Sequence, residues 1–211
     1  MRTAGRSTEW RDRVPREELL EMSRVAPRSF YERPTVEVAK DLVGKFLVHG
    51  PTVGWIVETE AYLGLGDRAA HASRGLTERT RVLFGPPGHA YVYFIYGMYE
   101  CLNLVAEPEG QPGCVLIRAV EPLAGIALMR RRRPGARRIE DLASGPGKLT
   151  QALGITRRLY GADVTRGPLT VRQPLHDLPL ELAVTPRVGI RHCTDWPLRF
   201  LIVGSRYVSR Q

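Results

Sequence analysis

The sequence predicts one mixed α/β (α+β) domain built on a mainly antiparallel sheet. Short β-branched and aromatic runs recur along the chain, and several adjoin across tight turn residues, so consecutive strands can pair as hairpins. Helical spacing appears only in a few short stretches, without the regular strand–helix alternation of a parallel sheet. The chain has 211 residues, 43% of them hydrophobic and 25% charged, which suits a single buried core. It contains no internal repeat and no second linker.

The first 28 residues are charged, poor in large hydrophobes and broken by Pro15 and Pro27. They read as a flexible tail, with a short helix through Glu17 to Met22. The domain is then 29–211, its folded part starting near Phe30. Thr35 stands where an N-cap would, and Val36, Ala39, Val43 and Phe46 follow at helical spacing. KFLVHG and VGWIVETEAY form paired strands around the His49–Thr52 turn. Residues 64–88 are mostly loop or short helix, ending at Gly85-Pro86-Pro87-Gly88. AYVYFIYG and CLNLVA make a hairpin with Tyr96 and Met98 at its tip, and CVLIRAV is the next strand. A helix is expected from Pro122 to about Arg131, proline being harmless at an early helical position. KLTQALGI is a second helix, and LTV, LELAV and RFLIVG are late strands.

Thirty-one Lys and Arg against twenty-two Asp and Glu leave a net charge of +9, which favours a polyanionic partner. Cys101, Cys114 and Cys193 have neither metal-knuckle spacing nor the look of a disulfide framework. The five histidines lack zinc-motif spacing, and phosphate-loop and dinucleotide signatures are missing, so no metal or cofactor is expected. The amino terminus has no apolar signal core and no run is long enough to span a bilayer, so a reduced, cytoplasmic protein away from membranes is expected.

Glu58, Glu60 and Tyr62 alternate along one strand and so share a face. A carboxylate beside aromatic groups there suits a general base, although solvated strand acids would look the same. Leu116 and Arg118 share a face in CVLIRAV, and a buried Arg needs a carboxylate such as Glu60, whether for catalysis or as a structural pair. Tyr91 and Tyr93 share a face that suits stacking on a flat base. Tyr96, beside Gly97 at an exposed tip, could wedge into a duplex. Ser144-Gly145-Pro146-Gly147-Lys148 could cradle a phosphate or be a plain turn and cap. The Arg130–Arg138 cluster reads as a solvated face, at most touching phosphates without reading sequence.

VETEAYLG, AAHASRG, GPPGHAYVYFIYGMYECLNLV, CVLIRAVEP, SGPGKLTQALGI and PRVGI stand in the order and spacing of the alkyladenine (3-methyladenine) DNA glycosylase family. The chain resembles a bacterial-type member from about Phe30 to Ser209. The resemblance implies a compact domain around a curved antiparallel sheet with surrounding helices, not a helix-hairpin-helix fold. It implies a monofunctional repair enzyme acting, as a monomer on the bacterial nucleoid, on double-stranded DNA containing damaged purines. Glu60 matches the base that activates the attacking water, and Arg118 the residue that helps hold that water. Tyr62, His71 and Tyr93 match the pocket around the flipped base, Tyr96 the intercalating side chain, Asn103 the residue that crowds the amino group of guanine, and Leu116 an apolar wall. The tail and the segment between Arg133 and Gly145 depart from eukaryotic members. The family's C-terminal pocket contact falls within RVGIRHCTDW without a residue assigned. Two competing readings remain: a non-catalytic nucleic-acid-binding module, and a glycosidase of free nucleosides.

Overall fold

In a computed structural model that describes residues 20–209 except 22, 96 and 176–178, the strand-forming runs assemble into one nine-stranded antiparallel sheet. The elements in order are β1 (Ser23–Val25), α1 (Arg28–Tyr31), α2 (Thr35–Leu42), β2 (Phe46–His49), β3 (Thr52–Tyr62), β4 (Ala90–Ile95), β5 (Tyr99–Ala106), β6 (Gly113–Ala124), α3 (Ile126–Arg132), α4 (Pro146–Leu153), β7 (Leu169–Pro174), β8 (Leu182–Thr185) and β9 (Arg199–Ile202). Strand order is β1-β7-β2-β3-β6-β5-β4, and β9 also pairs with β3 while carrying β8 on its far side. The start of β3 pairs with β2 and its later part with β9, so the sheet forks along this one strand.

Both hairpins expected from sequence form. β2 and β3 turn through Gly50-Pro51, with Gly50 in the left-handed region at φ 54°. β4 and β5 pair from Ala90↔Leu104 to Ile95↔Tyr99. Strands β3 and β6 are buried along almost their whole length, which erases the alternating pattern that marks a half-exposed strand. Thr59 Oγ1 donates to the Ala39 carbonyl at 2.7 Å, so the odd-numbered face there meets α2. Glu58 and Glu60, on the alternate face, look the other way.

Three boundaries differ from the sequence reading. The packed chain reaches Ser23, ahead of Phe30, because β1 pairs with β7. The helix expected over Glu17–Met22 lies outside the described residues apart from Leu20 and Glu21. In α2 the buried face is Thr35, Val38, Ala39 and Leu42; Val43 and Phe46 lie beyond its end, and Thr35 is the first helical residue after Pro34 instead of the cap, its N–H and hydroxyl both donating to Glu107 Oε1 at 2.6 and 2.7 Å. Pro122 continues β6 instead of opening a helix. It faces Gly54 beside a register shift, on a stretch of β6 whose other edge β5 has already left, so no ladder N–H is missed. The helix begins after Gly125. Among the described residues no helix is long and apolar enough to cross a membrane.

Candidate active site

Cross-strand register, more than any loop, brings the predicted residues together. Glu60 of β3 pairs with Leu116 of β6, Leu116 with Asn103 of β5, and Asn103 with Tyr91 of β4. Directly opposed residues share a face, so these four form one row across four strands. Tyr62↔Cys114 lies two residues to one side of it, and Cys101↔Tyr93 to the other. Arg118 occupies an irregular place: Ala119 faces Glu58 and Ile117 faces Thr59, so Arg118 falls in the break between them. Such a bulge re-aims a side chain, here toward both acids.

Arg118 donates through Nε to Glu58 Oε1 at 2.9 Å, lies 3.3 Å from Glu60 Oε2 through Nη1, and donates through Nη2 to Ser209 Oγ at 3.0 Å. The shorter carboxylate contact is thus to Glu58, with Glu60 second, where the sequence suggested Glu60. Glu58 also accepts from Arg199 Nε at 2.7 Å and from the Ser209 N–H at 2.6 Å. Both acids are fully buried, which rules out solvated strand acids. Burial opposes the Arg118 charge, but the two carboxylates outweigh it and hold its pKa above the ordinary arginine value.

Glu60 Oε1 accepts the Val188 N–H at 2.7 Å, and Oε2 accepts the Tyr62 hydroxyl at 2.9 Å. Burial raises the Glu60 pKa above the usual carboxylate range, against the opposing pull of Arg118, Val188 and Tyr62. Tyr62, Arg118 and Val188 all line a cavity of about 710 Å³, so the Glu60 carboxyl stands immediately behind its wall.

The cavity also takes in His71, Tyr91, Tyr93, Asn103 and Leu116. The Tyr91 and Tyr93 rings lie 5.2 Å apart between centroids, and His71 meets Tyr93 edge-on at 4.6 Å. His71 Nδ1 lies 2.8 Å from the Tyr91 hydroxyl. Burial, with Arg79 and Arg74 nearby, pushes His71 down to about pKa 4, and burial pushes Tyr91 up to about 12. At neutral pH the two meet as imidazole and phenol. When the phenol donates to Nδ1, the imidazole hydrogen sits on Nε2. Asn103 is pinned by a 3.4 Å bond from Nδ2 to the Tyr91 carbonyl. Tyr96 lies outside the described residues. Among the described residues no group of three or more His, Cys, Asp or Glu could hold a metal ion.

Several contributors carried no signal of their own in the sequence. Within RVGIRHCTDW, where the resemblance placed a pocket contact without naming its residue, Val188, Gly189, Ile190, Arg191 and His192 all line the cavity from an irregular loop. Arg199 and Ser209 close the Glu58 network from 141 and 151 residues away in sequence. The Ser144–Lys148 turn does border the cavity at the start of α4, together with Arg68, Arg133 and Arg191. Gly147 is required there, since a Cβ would stand 2.8 Å from the Tyr99 ring.

The family model described as "Methylpurine-DNA glycosylase (MPG)" matches residues 29–206. A protein of Methanoculleus marisnigri named "Putative 3-methyladenine DNA glycosylase" is 56% identical over 191 residues, covering 88% of this chain and 98% of its own. Proteins of the same name from Methanocella arvoryzae and Chlorobaculum tepidum are 53% and 49% identical, covering 89% and 86% of this chain and 96% and 88% of theirs. With the family model matched over strands β2 to β9 and the row of site residues that crosses them, the chain belongs to the methylpurine-DNA glycosylase family.

Proposed function

We propose that the protein is a monofunctional DNA glycosylase of base-excision repair. It takes a damaged purine of the 3-methyladenine, 7-methylguanine, hypoxanthine and ethenoadenine class out of the duplex into the cavity and hydrolyses its N-glycosidic bond. The observation that carries this reading is Glu60, a buried carboxylate with a raised pKa whose two hydrogen-bond donors and ion-pair partner all belong to the cavity wall. A carboxylate offers about four acceptor positions. Val188 and Tyr62 take two, the Arg118 guanidinium stands 3.3 Å off Oε2, and the free position on Oε1 suits a water hydrogen.

In the step itself the glycosidic C–N bond breaks toward the base while the water oxygen bonds to the sugar carbon, and Glu60 takes the water proton. Glu60 also stabilises the positive character that develops on the sugar. A cationic alkylated purine leaves as a neutral base. A neutral purine such as hypoxanthine must gain a proton as it leaves, so its release depends on an acid as well as on Glu60. Tyr62, Tyr93 and His71 enclose the flipped base, Leu116 supplies an apolar wall, and Asn103 crowds the amino group of guanine. Tyr96 fills the gap left in the duplex. The enzyme acts as a monomer on cytoplasmic double-stranded DNA.

The Glu58–Arg118–Arg199 network is complete without any substrate, and this favours the competing reading of a structural ion cluster on a binding module. A duplex oligonucleotide with one lesion, treated with the protein and then with or without alkali, separates the two. The proposed activity gives strand breaks only after alkali. Absence of base release from alkylated, deaminated and etheno substrates alike would leave the binding module.

A further inference from the structure

Outside the residues given a chemical role, the most completely enclosed ion pair at the site is Arg187 with Asp67, both side chains wholly buried. Arg187 Nη2 donates to Asp67 Oδ1 at 2.9 Å and Nη1 to the other carboxylate oxygen. Nη1 also donates to the Ala61 carbonyl at 3.0 Å, and the guanidinium carbon lies 4.7 Å from the Tyr62 ring centre. Asp67 in turn accepts the Leu63 N–H at 3.2 Å and the Ala69 N–H at 3.0 Å. Burial would raise the Asp67 pKa, but Arg187 and these two N–H groups hold it below the usual carboxylate range. The pair therefore joins three segments that reach the cavity: the end of β3, the 63–70 loop leading to His71, and the loop that continues into Val188.

We infer that Arg187, locked by Asp67 behind the Tyr62 ring, is a positioning residue that holds the Val188 N–H and the Tyr62 hydroxyl on the Glu60 carboxylate. Its kinetic part rests on the reading of Glu60 as the base. Arg187 is not part of the cavity wall, so Tyr62 stands between the guanidinium and the cavity. Val188 follows Arg187 directly, about 3.8 Å along the backbone, so whatever fixes one residue fixes the donor of the next. A planar guanidinium can serve a ring face, a carbonyl and two carboxylate oxygens at once, which an ammonium cannot.

The groups facing Glu60 are Arg118 from the neighbouring β6 and Cys101 from β5 beyond it, Glu58 and Tyr62 from its own strand, Arg199 opposite it on β9, and Arg187 itself. Arg187→Lys leaves every one of these charges in place and loosens only the clamp. Asp67→Asn attacks the clamp from the other partner, so an unfolded first variant does not decide the matter. The measurement is the carboxyl-carbon NMR titration of Glu60, its signal identified by its loss in Glu60→Gln, beside single-turnover base release across pH. The N–H and O–H donors favour the ionised carboxylate, so loosening them raises its midpoint. We expect a rise of about half a unit or more, with base release on the acid side of the profile slowed about threefold relative to the alkaline plateau. A lowered melting temperature with the Glu60 midpoint unmoved would overturn the inference and leave Arg187 a structural residue. A midpoint that rises while the kinetic limb stays fixed would uphold the clamp and instead refute Glu60 as the base.

Discussion

Glu60 holds its charge in a place that opposes it. Because burial raises its pKa, ionised Glu60 subtracts from stability, and the loss grows as pH rises through the folded-state pKa. Gln drops the charge, keeps one acceptor oxygen for the Val188 N–H, and turns its amide NH2 to the Tyr62 hydroxyl, which can accept instead of donating. Glu60→Gln is therefore expected to melt at or above the wild-type temperature at pH 8, and a clear drop would show that the acid serves the fold. For a cationic lesion, which needs no proton, base release should rise with pH through a single limb centred above 4.5, the ordinary carboxylate value. A limb at or below 4.5 would contradict the desolvated base. His71 works in the opposite sense. Its folded pKa of about 4 lies below the ordinary 6.5, so the unfolded chain binds the extra proton between these values. Stability from this group is present above about pH 6.5 and is lost as pH falls toward 4, and urea titrations should show this loss weakened in His71→Gln.

At the scale of elements, the site is a row across β3, β6, β5 and β4, and its floor depends on register. Alternation in VETEAY, LIR and AYVY was enough to put Glu58 with Glu60, Leu116 with Arg118 and Tyr91 with Tyr93. It could not show that a break in the β3–β6 ladder turns Arg118 onto both acids, because bulges leave no mark in residue type. The Pro122 boundary was missed for a related reason: a proline after a strand run suits a helix start as well as an unpaired strand edge. Loop contributors such as Arg187, Val188 and Ser209 have no period to read, and their roles exist only through contacts more than 90 residues apart in sequence. The start of α4 offers a test at this scale. Gly147→Ala puts a Cβ 2.8 Å from Tyr99, and such overpacking typically costs about 1–3 kcal/mol, measurable by denaturant titration. An unchanged midpoint would mean that α4 and the β4–β5 hairpin can part freely.

Across the whole molecule, a net charge of +9 and the basic rim of Arg68, Arg133, Lys148 and Arg191 around the cavity suit a partner that carries a phosphate backbone. The logarithm of the affinity for duplex DNA should fall linearly with the logarithm of salt concentration, with nearly the same slope for damaged and undamaged duplexes. Lesion selectivity would then come from the cavity, and a slope that changes strongly with the lesion would contradict this division. The free-nucleoside reading has no use for such a rim, and it gains nothing from the site geometry. The proposed hydrolysis stands or falls on Glu60, and the most direct test is single-turnover base release from a duplex carrying one hypoxanthine, wild type against Glu60→Gln, with duplex binding measured in parallel. The account predicts release about a hundredfold or more slower in the variant, with binding nearly unchanged. Release at the wild-type rate from Glu60→Gln would contradict it.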